Sequence, residues 1–164
     1  MRQLAFVGLI AAALAAATPA LAQNAGQIIQ VRRGASCAGC NLFQADLSSR
    51  ELGGLNLSRA RLRQADLSLT VMNRASFAGA DLRDVNAYGG VFGGANFAGA
   101  DLTNATFVGT YLEGARFQGA NLHGANFSGA EMDRATGLSQ AQLNQACGDQ
   151  ATLLPRGLRI PACR

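Results

Sequence analysis

From Leu42 to Met132 every fifth residue is a large apolar side chain, with Ala87 the single exception. Ten of these positions are Leu, six are Phe and two are Met. Two residues ahead of most centres stands Ala, from Ala45 through to Ala130. A helix repeats every 3.6 residues and a strand every 2, so neither produces a five-residue beat. A strict short repeat predicts an all-β solenoid, in which each unit buries its apolar face only against its neighbours.

Each unit has five positions, with the bulky residue third. Alternation in a short extended segment turns positions one and three inward and position two outward, and positions four and five turn a corner. Gly fills position five in eleven of the twenty units between Ala35 and Arg134, as a bend with positive φ favours. Asn or Asp fills position two in ten of them, where a short polar side chain can bond nearby backbone. Late in the array the centres alternate Phe97, Leu102, Phe107, Leu112, Phe117, Leu122, Phe127. Four units per turn would stack Phe97 on Phe117 and Leu102 on Leu122, whereas three would stack Phe on Leu. Four sides are therefore expected, giving about five coils spaced ~4.8 Å apart.

Units such as Ala45–Ser49 (ADLSS), Ala80–Asp84 (ADLRD), Ala95–Gly99 (ANFAG), Ala100–Asn104 (ADLTN), Ala120–Gly124 (ANLHG) and Ala125–Gly129 (ANFSG) resemble the A-(D/N)-L-x-x motif of the pentapeptide-repeat family. The resemblance covers residues 35–134. It implies a right-handed quadrilateral β-helix whose function is read from its outer surface. It also raises an alternative, since some cytoplasmic members mimic DNA and bind DNA gyrase.

Departures from the beat are candidate sites. Arg50 stands at a small inward position and Leu55 follows in the next unit. An open corner, or pairing with Glu51, is expected there. Ala87 and Gly90 together remove core volume, which predicts a bulge, a tilt between coils or a small cavity, with Tyr88 folding over the gap. On the third side the outward residues run Glu51, Val71, Val91, Tyr111, Glu131, and Leu69, Tyr88 and Val108 lie round the adjoining corner. The expected apolar ridge of Leu69, Val71, Tyr88, Val91, Val108 and Tyr111 is the leading candidate interaction surface. Arg59, Arg61, Arg63, Arg74 and Arg83 form a candidate anion-holding patch, with Arg63 over Arg83 an unfavourable pair and Arg61 over Asp81 a favourable one.

At the N-terminus, Arg2 precedes an apolar stretch from Leu4 to Ala17, and Ala20-Leu21-Ala22 offers an A-x-A cleavage site. Residues 1–22 therefore read as a secretory signal peptide, placing the mature protein in the periplasm or outside the cell with no membrane span. Residues 23–34 form an N-terminal cap segment, in which Gln27–Val31 would cover the first coil. The repeat occupies 35–136, and 137–164 a helix and tail. Ser139 would cap a short helix over QAQLNQAC, with Leu138, Leu143 and Ala146 on one face, covering the last open coil.

The fourteen basic residues are all Arg against ten acids, a formal net charge of +4. No dense basic stripe with exposed aromatics appears, so no nucleic-acid partner is expected. The four cysteines sit in two pairs at opposite ends. Pairings between the ends would span the rod, far beyond a Cα separation of about 7 Å, which leaves Cys147 with Cys163 and Cys37 with Cys40. The first closes a Pro- and Gly-containing tail that also resembles the tail of many exported pentapeptide-repeat proteins. For Cys37 and Cys40 a short disulfide, an inward thiol pair and a redox pair all stay open. The sole His, His123, has no nucleophile near it by register, and no phosphate loop or metal-ligand cluster is present. A non-enzymatic, cofactor-free binding or scaffold protein is expected, its partner another protein, a second copy of the chain included.

Overall fold

The computed structural model describes residues 23–164; the expected signal peptide at 1–22 lies outside the described residues. The chain winds as a tube in which parallel bridges join residues twenty apart, as in Asn41 to Arg61, Asp66 to Asn86 and Thr106 to Asn126. Twenty residues are four pentapeptides, so each turn has four faces. The outward residues define them: face one carries Asn41, Arg61, Asp81, Asp101 and Asn121, and face two Asp46, Asp66, Asn86, Thr106 and Asn126. Face three carries Glu51, Val71, Val91, Tyr111 and Glu131, and face four Asn56, Ser76, Asn96, Arg116 and Thr136.

Backbone hydrogen bonding explains the motif. The N–H of position three donates to the carbonyl of position two one turn later, as Leu62 to Asp81 at 2.8 Å. The N–H of position two donates back to position one of the preceding turn, as Arg61 to Cys40 at 2.8 Å. Position five donates forward, as Gly79 to Ala98 at 2.9 Å, and position one closes a tight turn onto the preceding centre, as Ala45 to Leu42 at 3.0 Å. The N–H of position four is the one that finds no backbone partner in any unit. All ten Asn and Asp side chains at position two supply it, accepting from the amide two residues on. Position five has positive φ at Gly and also at Gln44, Ser49, Arg59, Gln64, Leu69, Arg74, Asp84 and Asn104.

The lumen is solid. Every centre from Leu42 to Met132 is buried, and the Ala column fills the corners between walls. Phe77, Phe97 and Phe117 stack at 5.1 and 5.2 Å, and Phe107 on Phe127 at 5.4 Å, the columns that the alternation predicts.

At Ala87 the structure shows continuous bridges, Asp66 to Asn86 and Asn86 to Thr106, in place of a bulge. The volume is filled by Phe92, whose ring lies 6.0 Å from Phe107 and 6.1 Å from Phe77. A Cβ added at Gly90 would sit 2.5 Å from the Phe92 ring. One large residue in a Leu/Met column therefore compensates for two small ones, and Tyr88 points to solvent, 55% exposed. Arg50 is exposed, and its carbonyl still accepts from Val71, so the ladder continues; the turn bond that Ala45 gives Leu42 has no counterpart from the amides of Arg50 and Leu55, so the corner is looser there.

Both ends are covered. Helix α1 (Ala25–Arg32), capped by Asn24, buries Ile28 and Val31 over the first turn. Its neighbourhood saturates the open edge with side chains: Gln27 accepts from the Asn41 amide at 2.8 Å, and Arg32 donates to the Asp46 carbonyl at 2.8 Å. Helix α2 (Gln140–Leu143) is shorter than QAQLNQAC suggests, with Ser139 and Gln142 forming a capping box. It takes the place of one wall. Gln142 Nε2 donates to the carbonyls of Phe117 and Ala120 at 3.0 and 2.9 Å. The chain then rejoins the tube, Cys147 pairing with Asn126 and Leu153 with Glu131. Cys147 and Cys163 lie at disulfide distance with a Cα separation of 4.8 Å, and so do Cys37 and Cys40 at 5.5 Å. No helix among the described residues is long and apolar enough to cross a membrane.

Candidate functional surfaces

The apolar candidates gather on face three and its corner with face two. Val71, Val91 and Tyr111 are consecutive rungs and half-buried, as is Val108 at the corner; Leu69 is 56% exposed and lies against Gly89. Leu69 is also the one apolar residue at position five, held at φ 56°. An L side chain there costs on the order of 1 kcal/mol or more, which Gly avoids.

The arginine candidates separate. Arg83 forks onto Asp81 with two contacts of 2.7 Å and reaches Asp101 at 3.8 Å, while Arg63 turns to Asp84 at 3.4 Å. The expected clash of Arg63 with Arg83 is relieved because each finds an acid. The bond from Arg83 holds the Asp81 carboxyl below the usual carboxylate range, and Arg83 is shifted upward. Arg61 is the rung opposite Asp81, Arg59 lies over Gly79, and Arg74 sits on a different corner, between faces three and four. His123 is exposed, and its amide takes the ordinary bond to Asn121. Among the described residues no group of three or more His, Cys, Asp or Glu is placed to hold a metal ion.

The corner between faces three and four holds a groove of about 870 Å³ that sequence reasoning missed. Its floor is Gly53, Gly54, Gly93, Gly94 and Gly114; Asn73, Arg74, Tyr111, Glu113 and Arg134 rise from it. Tyr111 lies over Gly93, where an added Cβ would stand 3.1 Å from the ring. Its hydroxyl donates to Glu113, whose other oxygen pairs with Arg134. The Tyr111 hydroxyl bond, then Arg134, lowers the Glu113 pKa, and the same bond raises that of Tyr111. One sequence signal was available: face three alone has no Asn or Asp at position two, so it lacks every Asx turn.

The family model for pentapeptide repeats matches eight copies over residues 51–86, 81–119, 95–134 and 112–147. The chain belongs to the pentapeptide-repeat family. Among solved structures, this pentapeptide-repeat protein is similar to HetL of the cyanobacterium Nostoc sp. strain PCC 7120, a protein involved in heterocyst differentiation regulation. Identity is 31% over 73% of this chain, with a TM-score of 0.45. The match spans 62% of HetL's own length. A pentapeptide-repeat protein of the Arabidopsis thaliana thylakoid lumen matches at 26% identity, covering 64% of this chain and 82% of that one, TM-score 0.31. Rfr23 of the cyanobacterium Cyanothece 51142 matches at 20% identity, covering 79% and 97%, TM-score 0.32. No curated protein matches the chain significantly.

Proposed function

We propose that this pentapeptide-repeat protein is an exported, non-enzymatic binding or scaffold module of the periplasm or cell envelope. In this reading the tube is a right-handed quadrilateral β-helix of about five coils, made after cleavage of residues 1–22. Its partner is another protein, recognised through the ridge of Leu69, Val71, Tyr88, Val91 and Val108; Tyr111, expected to belong to it, turns its hydroxyl to Glu113 in the neighbouring groove. The observation that carries this is Leu69, which bears two costs at once, an exposed apolar side chain and a left-handed backbone. Such strain is kept where a surface is used. The formal net charge of +4 runs against the DNA-mimicking, gyrase-binding alternative.

Leu69→Gly separates use from stability. It relieves the backbone and raises stability by about 1 kcal/mol, while in-cell crosslinking to an envelope partner, or self-association, is lost. Val91→Glu removes the same crosslink by placing a charge in the ridge. Unchanged crosslinking and unchanged oligomeric state in both variants would overturn the interaction role. Recovery of the protein in the cytoplasmic fraction with residues 1–22 intact would overturn export.

A further inference from the structure

The groove between faces three and four is independent of the ridge, and its chemistry is different. On the other faces Asn or Asp side chains consume ten position-four amides and leave those of Ala38, Arg63, Ala78, Val108 and Gln118, whereas face three has no Asn or Asp at position two at all. The Gly93 amide is met by Asn73 Oδ1 at 2.8 Å. The amides of Gly53, Asn73 and Glu113 have no acceptor among the described residues. The amides of Gly53 and Asn73 stand one coil, ~4.8 Å, apart, and that of Glu113 follows two coils beyond Asn73. Arg74 stands over the same floor with no acid within ion-pair distance among the described residues. Glu113 is already taken by Tyr111 and Arg134, so the groove's remaining valence is for an anion. Tyr111, anchored by its hydroxyl, adds a fixed half-buried ring beside the glycine floor.

We infer that this groove binds a linear carboxylate-bearing polysaccharide, a uronate-type chain, lying along the tube axis. Donors one coil apart match the length of one pyranose residue. An extended acidic peptide presents same-face side chains about 6.8 Å apart and falls out of step with them. The ring offers an apolar face to the C–H side of a sugar, the amides donate to ring hydroxyl and carboxylate oxygens, and Arg74 pairs with a carboxylate. The absence of side chains at Gly53 and Gly54, where Gly54 has no atom within 4 Å of an added Cβ, lets the sugar approach the backbone.

The test is calorimetric titration of the oxidised protein with a defined oligogalacturonate, its carboxyl-reduced neutral counterpart, and an oligoglutamate peptide. The oligogalacturonate binds, and more weakly as salt is raised. Arg74→Ala, and separately Gly53→Glu, which fills the floor with a like charge, each weaken it at least about tenfold. Tyr111→Ala also weakens it. Arg59→Ala, at the equivalent position of the next corner, and Leu69→Gly, on the ridge, leave it unchanged. No binding, equal binding of the neutral oligomer, tighter binding of oligoglutamate, or an equal loss in Arg59→Ala would each overturn the assignment. Because Leu69→Gly is silent here and Arg74 lies off the ridge, failure of this site and failure of the protein-binding reading are separately visible.

Discussion

Gly90→Ala restores the residue found at position one in most units, yet it should destabilise this protein. The added Cβ would sit 2.5 Å from Phe92 Cε2 and 3.2 Å from Cζ. Its 3.1 Å approach to the Ala87 carbonyl is the ordinary tight turn, because Gly90 N–H donates to that carbonyl as Ala95 N–H does to Phe92. The clash is therefore with the ring alone. Phe92 is hemmed by Phe77, Phe97 and Phe107 at 6.1, 5.9 and 6.0 Å, so it has no free direction, and overpacking costs about 1–3 kcal/mol. Phe92→Leu alone leaves a void beside Ala87 and costs about 1–2 kcal/mol, less than a Phe→Ala change. In the Phe92→Leu background Gly90→Ala meets no ring, and the backbone at Gly90 is not left-handed. There it should be neutral or stabilising by about 0.4–1 kcal/mol through the unfolded chain. The sign reverses, a coupling of about 2 kcal/mol. Urea unfolding of the four proteins, followed by far-UV circular dichroism, measures it. Additivity within about 0.5 kcal/mol would refute the claim that Phe92 fills the space vacated by Ala87 and Gly90.

Replacing Cys147 and Cys163 together by Ser removes the bridge closing the tail, separation 16 residues, and should cost about 3 kcal/mol there. Hydrogen exchange should speed up at Gly148 and Leu153 while Phe97 keeps its protection; uniform loss along the tube would argue against a local clamp. Acid should weaken the fold. Asp46, Asp81, Glu113 and Asp149 are held below their ordinary values, by Ser48, Arg83, Tyr111 and the Gly129 amide respectively. Lowered carboxylates add stability that is present above the ordinary value and lost as pH falls through the lowered one. The urea midpoint should hold between about pH 5 and 7 and fall below about 4; a midpoint rising in acid would contradict those contacts.

The five-residue beat made the lumen legible because burial acts on every centre alike, and the Phe/Leu alternation carried the four-sided stacking because like volumes share a column. Ala87 was visible as a gap, but its filling was not. Phe92 belongs to the neighbouring column, and only the inward ring direction links the two. Helix α1 was missed as a helix because its signal is short: a cap at Asn24 and two inward residues, Ile28 and Val31. The tail read only as a segment closed by Cys147 and Cys163, yet after α2 it resumes the ladder at offsets of 21 and 22 residues, which the helix makes room for. The ridge residues were named from register, and the structure places them on adjoining rungs. The groove escaped because its signal is negative, a column without Asn or Asp. That absence gains meaning only once position four is known to need an acceptor.

Engineered disulfide trapping tests the tube most directly. Asn96 and Arg116 are bridged rungs one turn apart, whereas Asn96 and Tyr111 belong to different faces. Adjacent rungs bring Cα atoms to about 5 Å, within reach of a disulfide. On mild oxidation, Asn96→Cys with Arg116→Cys should link within one chain, as mapped by mass spectrometry, and Asn96→Cys with Tyr111→Cys should not. Efficient linkage of the second pair and none of the first would mean three pentapeptides per turn, and the four-faced stack described above would be wrong.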